Sequence, residues 1–347
     1  MSPPSRILFI RLTALGDVLL ATPAARALKR RFPEAEIDWL VEKPYLPLVA
    51  ANPHVRGLAY DKRGRHAGAS GLRRLRAELG ERGYDLVVDL QGKPKTWYLR
   101  SSGRRAVAMR KRSPGKSLLA LFGRDPPLVC AHAVDLFLDA LRPLEVEPAG
   151  RELELRLSSE LEAEAAALPA GRLVGIAPGT RWETKRGPAE RFGQVAAQLS
   201  EQGLQPLLIG GPGERAVFAA VRAQLPAGAV AGDTSALTVG GLAAAIARCA
   251  LVVSGDSGPA HIAAALGVPV VAVFGPTSPT RWGPLSERAR VVRLDLDCSP
   301  CSNHGTRRCP LGHHDCLQKV DSQQVVAAAL ELLGAPAAGA SAASPGA

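Results

Sequence analysis

The sequence predicts an α/β protein built of two Rossmann-like, doubly wound parallel-sheet domains that face a cleft. Three observations carry that reading. Short aliphatic runs alternate with alanine-rich helical patterns along most of the chain, the signature of parallel strands joined by right-handed crossovers. The alternation lapses after Pro143 and begins afresh at Leu173, dividing 347 residues into two units of ordinary domain size. Aromatics make up only 4% of the chain, so alanine, leucine, valine and glycine carry the packing, as suits helices laid on sheets.

The elements follow in order. Residues 7–10 read as the first strand and 16–31 as the helix after it. Residues 36–41 and 86–90 are further strands, the latter led in by Tyr84-Asp85, and 132–141 has helical spacing. Residues 152–157 alternate charged and apolar side chains like an edge strand. Residues 158–168 form a Glu/Ala helix stopped by Pro169. The expected division is 1–150 for the first domain, 151–170 for a linker and 171–333 for the second domain. There, 173–177, 204–209, 251–254 and 268–274 read as strands. Segments 189–202, 216–225, 242–250, 257–266 and 320–333 read as helices. Residues 334–347 are Ala/Gly/Ser/Pro low complexity, expected to be a disordered tail.

A net charge of +11 favours an anionic partner: phosphate, a membrane surface or nucleic acid. Seventeen Lys or Arg and five acids lie between Arg56 and Lys116, a balance of +12, so the surplus belongs to the first domain. Solvated helix faces account for such a run equally well. The opening apolar run is too short for a secretory segment. No stretch approaches the roughly 18 apolar residues of a spanning helix. Six cysteines in a chain this long do not read as a disulfide scaffold. A cytoplasmic setting is expected.

Chemistry concentrates in loops at the carboxyl ends of strands, where open parallel sheets bind ligands. Ser254-Gly-Asp-Ser-Gly-Pro-Ala-His261 follows a strand and opens a helix. Its glycines allow close backbone approach, and the free amides of a helix start favour a phosphate. The loop from Ala177 to Pro188 carries Thr180, Arg181, Lys185 and Arg186; a lysine there can neutralise a departing diphosphate. Gly210-Gly-Pro-Gly-Glu214 is a tight turn whose acid could hold a ribose. Neither G-x-G-x-x-G nor G-x-x-x-x-G-K-[ST] is present. Asp17, at the mouth of the first β-α unit, reads from local sequence first as a helix cap; a carboxylate there could also take a proton from an attacking hydroxyl.

Taken together, Arg11-x4-Gly16-Asp17, Thr180…Lys185-x-x-Pro188, Gly210-Gly-Pro-Gly-Glu214 and Gly255-Asp-Ser-Gly-Pro-Ala-His261 resemble glycosyltransferase family 9. Asp89-Leu-Gln-Gly92, Ala131-His-Ala-Val-Asp135 and Phe274-Gly-Pro-Thr-Ser-Pro279 extend the likeness, which runs in order from about residue 5 to residue 330. The resemblance implies a GT-B fold, an ADP-heptose donor and inversion at the anomeric carbon, with no metal or other cofactor required. It implies an acceptor-binding first domain and a donor-binding second domain. Asp17 matches the catalytic base and Lys185 the lysine on the donor phosphates. Thr180, Glu214, Asp256, Ser257, Gly258 and His261 match donor-binding positions. Between Thr180 and Lys185 the chain carries one residue more than some relatives. The implied acceptor is Kdo-lipid A or an already heptosylated inner core of lipopolysaccharide. Arg11, Lys93 and Lys95 are the acceptor-binding candidates. Such an enzyme is expected at the periphery of the anionic inner membrane, with no nucleic-acid partner.

Cys298-x2-Cys301-x7-Cys309-x6-Cys316, interleaved with His304, His313 and His314, has a spacing that permits structural zinc. Reduced packing cysteines or a redox role fit it too. Cys130 and Cys249 read as core residues. Two other functions stay open: a GT-B enzyme using another nucleotide sugar, and a non-enzymatic, zinc-bearing module for nucleic acid or membranes.

Overall fold

A computed structural model describes residues 3–109, 131–230 and 232–334. Strands β1 (Arg6–Ile10), β2 (Glu36–Glu42), β3 (Arg56–Tyr60), β4 (Tyr84–Asp89) and β5 (Gly103–Ala108) form one sheet, in the order β3-β2-β1-β4-β5. Strands β6 (Leu173–Ala177), β7 (Gln205–Leu208), β8 (Gly232–Asp233), β9 (Cys249–Gly255), β10 (Val270–Val273) and β11 (Ala289–Val292) form the other, in the order β11-β10-β9-β6-β7-β8. Every described pairing is parallel. Each sheet winds outwards in both directions from its own first strand. The winding therefore reverses between β1 and β4 and again between β6 and β9, and these two crevices are the natural ligand sites of such a fold.

The central strands are buried on both faces, as at Ile7–Ile10 and Leu251–Val253, which is why they read as unbroken apolar runs. The helices of six residues or more are numbered here. Helices α1 (Leu15–Leu20), α2 (Thr22–Arg31) and α5 (Ala133–Asp139) cover one face of the first sheet; α3 (Gly68–Gly80) and α4 (Pro94–Arg100) cover the other. Helix α6 (Ser159–Ala165) lies between the stretches of chain that form the two sheets. Helices α7 (Ala189–Glu201), α8 (Arg215–Arg222) and α11 (Ser322–Leu333) cover the far face of the second sheet. Helices α9 (Val239–Ala247) and α10 (Gly258–Ala265) cover the near one. A single apolar cluster runs from Phe9 and Leu19 of the first domain to Ile246 and Ile262 of the second, so the domains share a core.

Three expectations need correction. The helix expected over 16–31 is two helices, broken at Ala21. The Thr22 hydroxyl donates to the Leu19 carbonyl at 2.7 Å, and Pro23 sits in the first turn of the second helix, where its missing N–H costs nothing. Residues 152–157 join neither sheet. Leu153 and Leu155 are buried, while Arg26 of α2 holds Glu152 and Glu154 at 3.1 and 2.7 Å. The alternation reports one buried face, and that face lies on a helix. The helix expected over 242–250 is Val239–Ala247, and Cys249 and Ala250 already belong to β9. Cys249 is buried as expected; Cys130 and residues 335–347 lie outside the described residues.

Candidate active site

Four loops leave the two crevices, after β1, β4, β6 and β9. Asp17 stands in the first turn of α1. Its Oδ2 accepts the Ala14 amide at 3.1 Å and pairs with Arg11 Nη2 at 2.7 Å. It therefore reaches back to the cap position from the third helical residue, as a capping-box acid does, and is not itself the N-cap. Burial pushes the Asp17 carboxyl up, but the Arg11 guanidinium, the Ala14 bond and His304 outweigh it and hold the group below the usual range. Both bonds fall on Oδ2, which leaves Oδ1 to accept a further proton donor.

Arg11, an acceptor-binding candidate, is buried against its own domain. Its Nη1 donates to the Leu90 carbonyl at 2.6 Å and its guanidinium stacks 4.7 Å from the Phe137 ring. It positions Asp17. Gln91 pins the same loop from β4, accepting the Leu12 and Thr13 amides at 3.0 and 3.2 Å. Asp89, wholly buried, accepts the Gln91 and Gly92 amides and pairs with Arg100 at 2.8 Å. Lys93 then opens α4 exposed to solvent, and Lys95 Nζ lies 5.0 Å over the Tyr60 ring.

In the second domain Lys185 Nζ pairs with Asp256 Oδ2 at 2.7 Å, with both side chains largely buried. Thr277 donates to the same carboxylate oxygen. Gly255 passes so close that a β-carbon would lie 3.3 Å from Thr180 Cγ2, and Thr180 is buried with its hydroxyl donated to the Trp182 carbonyl at 2.8 Å. Ser257, whose Oγ is 3.1 Å from Ser254 Oγ, precedes α10, which begins at Gly258; there Pro259 has no N–H and the Ala260 amide donates to the Ser257 carbonyl at 3.3 Å. Glu214 accepts the Gly211 amide at 2.8 Å and packs on Gly179 and Gly210, where a side chain would collide with it. Burial raises its pKa.

The halves meet at Gly16. A β-carbon there would lie 2.6 Å from His261 Cδ2, so glycine is what lets the Asp17 loop rest on the second domain. His261 is buried with Nδ1 unpartnered, and burial, opposed by Asp256, lowers its pKa to about 4. It is neutral at physiological pH. A second link is His132, which caps α5 through Nδ1 and donates Nε2–H to the Gly283 carbonyl at 3.0 Å.

Sequence reasoning missed Gln91 and Thr277 as members of the site. Both lie inside the quoted motifs, but nothing local shows what they touch.

Cys298, Cys301, Cys309 and Cys316 line one small cavity of about 30 Å³ with His313 and His314. Among the described residues no group of three or more His, Cys, Asp or Glu is gathered so as to hold a metal ion, so the spacing that permits zinc is not matched by a converged ligand set. Burial and neighbouring thiols push Cys316 up to about 12. The segment braces the Lys185 loop. His314 donates to the Thr184 carbonyl at 2.7 Å, the Thr306 amide to Thr184 Oγ1 at 2.7 Å, and Gly305 packs on the Lys185 stem.

Residues 72–311 match the profile of glycosyltransferase family 9 (heptosyltransferase). The chain is 31% identical to lipopolysaccharide heptosyltransferase 1 of Pseudomonas aeruginosa, covering 85% of this chain and 86% of that protein. It superposes on the crystal structure of a family 9 glycosyltransferase from Veillonella parvula with a TM-score of 0.78 and 26% identity, over 95% of this chain and 97% of that one. The E. coli heptosyltransferase WaaC, solved with ADP, shares the fold with a TM-score of 0.68 at 22% identity, over 92% and 97% of the two chains.

Proposed function

The chain belongs to glycosyltransferase family 9, and from that premise we propose that it transfers heptose from ADP-heptose to the inner core of lipopolysaccharide, with inversion and with Asp17 as general base. The observation that carries this reading is the meeting of the two crevices. The start of α1, which bears Asp17, rests through Gly16 on His261 of α10, the helix that follows the loop bearing Asp256 and Ser257.

The donor lies along the second domain. The Gly258 amide at the start of α10 and the Lys185 ammonium face its diphosphate, and Glu214 accepts a ribose hydroxyl. The acceptor, Kdo or a first heptose, enters beside α4, where Lys93 meets its negative charge. Its hydroxyl loses a proton to Asp17 Oδ1 as its oxygen bonds to the anomeric carbon. The bond from that carbon to the diphosphate breaks on the opposite face, and ADP departs with the electron pair. Lys185 and the helix start neutralise the charge that develops, so the residues present supply the role a metal plays in other transferases. Arg11 keeps the base ionised and aimed.

Calorimetric titration with ADP-heptose, ADP and UDP in the presence of EDTA tests the donor half. The adenine compounds are expected to saturate and to bind much more tightly than UDP. A protein that binds no nucleotide, or prefers UDP, is not this enzyme.

A further inference from the structure

We infer that the exposed face of α4 (Pro94–Arg100) is a docking surface for an anionic phospholipid bilayer. Trp97 and Tyr98 are 55% and 38% exposed, side by side, and are the exposed large apolar side chains of the first domain among the described residues. Leu99 and Thr96 of the same helix are buried, so the core already has its anchors and these two rings are turned away from it. A tryptophan beside a tyrosine offers an apolar body with a polar rim, the combination that settles at headgroup level in a bilayer.

The surroundings are cationic. Arg76 of α3 lies 5.2 Å from the Tyr98 ring, and Arg73, one turn earlier on α3, is exposed. Lys93 at the start of α4 is exposed too. The nearby acids are engaged elsewhere: Asp89 is buried against Arg100 at 2.8 Å, and Glu78 is held by Arg65 and His66. Two bare aromatic rings alone would suit any apolar partner. Set in this surplus of positive charge, they select a surface that is negative outside and apolar beneath.

The placement suits the reaction, and here the inference rests on the transfer reading above. Helix α4 begins directly after Gln91 and Leu90, the residues that pin the Asp17 loop and hold Arg11. A bilayer seated on Trp97 and Tyr98 lies beside the entrance that a lipid-anchored acceptor would use.

The test is sedimentation of the full chain with vesicles of equal parts phosphatidylcholine and phosphatidylglycerol, and with phosphatidylcholine alone. The wild type is expected to favour the mixed vesicles. Trp97→Ser with Tyr98→Ser should weaken that binding at least about tenfold. Arg73→Glu and added salt should weaken it as well. ADP affinity and melting temperature, read on the same samples, should not move. Equal binding to both vesicles, or undiminished binding by the double variant, overturns the proposal. So does a face whose aromatics are needed for an oligothymidylate and not for vesicles. Failure of the wild type to bind ADP would instead undo the transfer reading and leave the vesicle result standing.

Discussion

Arg11 Nη2 stands 2.7 Å from Asp17 Oδ2, and this pair sets the basicity and the aim of the carboxylate at the domain junction. Removing the guanidinium removes a force that lowers the Asp17 pKa, while the burial that raises it remains. Activity that needs ionised Asp17 must then fall off at higher pH. Arg11→Met is expected to move the acid limb of the kcat/KM profile upward and to lower kcat at neutral pH by at least tenfold, with the donor KM little changed. Arg11→Lys should recover part of both. An unmoved acid limb would detach Arg11 from the base.

Lys185 and Asp256 form a largely buried ion pair. Lys185→Ala should weaken ADP binding by about 1.5–3 kcal/mol, the contribution of a hydrogen bond to a charged group. It should also lower the melting temperature, because an unpaired buried charge costs about 3–5 kcal/mol. Adding Asp256→Asn should restore stability but not affinity. Calorimetry and thermal unfolding on the single and double variants separate the two effects.

Gly16 has no room for a side chain. Gly16→Ala forces the His261 ring or the Asp17 loop to move, since the ring is buried and its Cδ2 would lie 2.6 Å from the new carbon. A loss of about 1–3 kcal/mol in unfolding free energy is expected, typical of overpacking. Combining it with His261→Ala should return much of that loss. A stable Gly16→Ala protein would show that α1 and α10 do not touch there.

His261 makes stability depend on pH. Its folded pKa, about 4, lies below the ordinary histidine value, so the unfolded chain binds the extra proton first as the pH falls. Its contribution is full above about pH 6.5 and is lost progressively towards pH 4. His261→Asn should flatten that part of the stability curve. Denaturant titrations at several pH values between these limits read it directly.

The sequence shows some of this and hides the rest for physical reasons. Central strands such as 251–254 are legible because burial on both faces demands an apolar run. Edge strands β3, β5, β8 and β11 are not, because their outer positions meet solvent and carry Arg104, Arg105 or Asp233. The loops holding Asp17, Lys185 and Asp256 announce themselves by glycines and charges at strand ends. What those charges touch is not local. Arg11 looks like a free cation until the bend of its loop turns it onto Asp17, and Gly16 meets His261 only when the domains pack. The segment at 152–157 shows the opposite error, a clear period of two with no sheet to receive it.

The most direct test of the account is the Asp17→Asn protein, assayed with ADP-heptose and Kdo-bearing lipid A and titrated with ADP. The amide keeps the size and the bonds of the side chain but cannot take the hydroxyl proton. ADP should bind as to the wild type, while transfer should fall by about 10²–10⁴, the usual worth of a positioned base. Transfer at close to the wild-type rate would show that the base lies elsewhere and contradict the account.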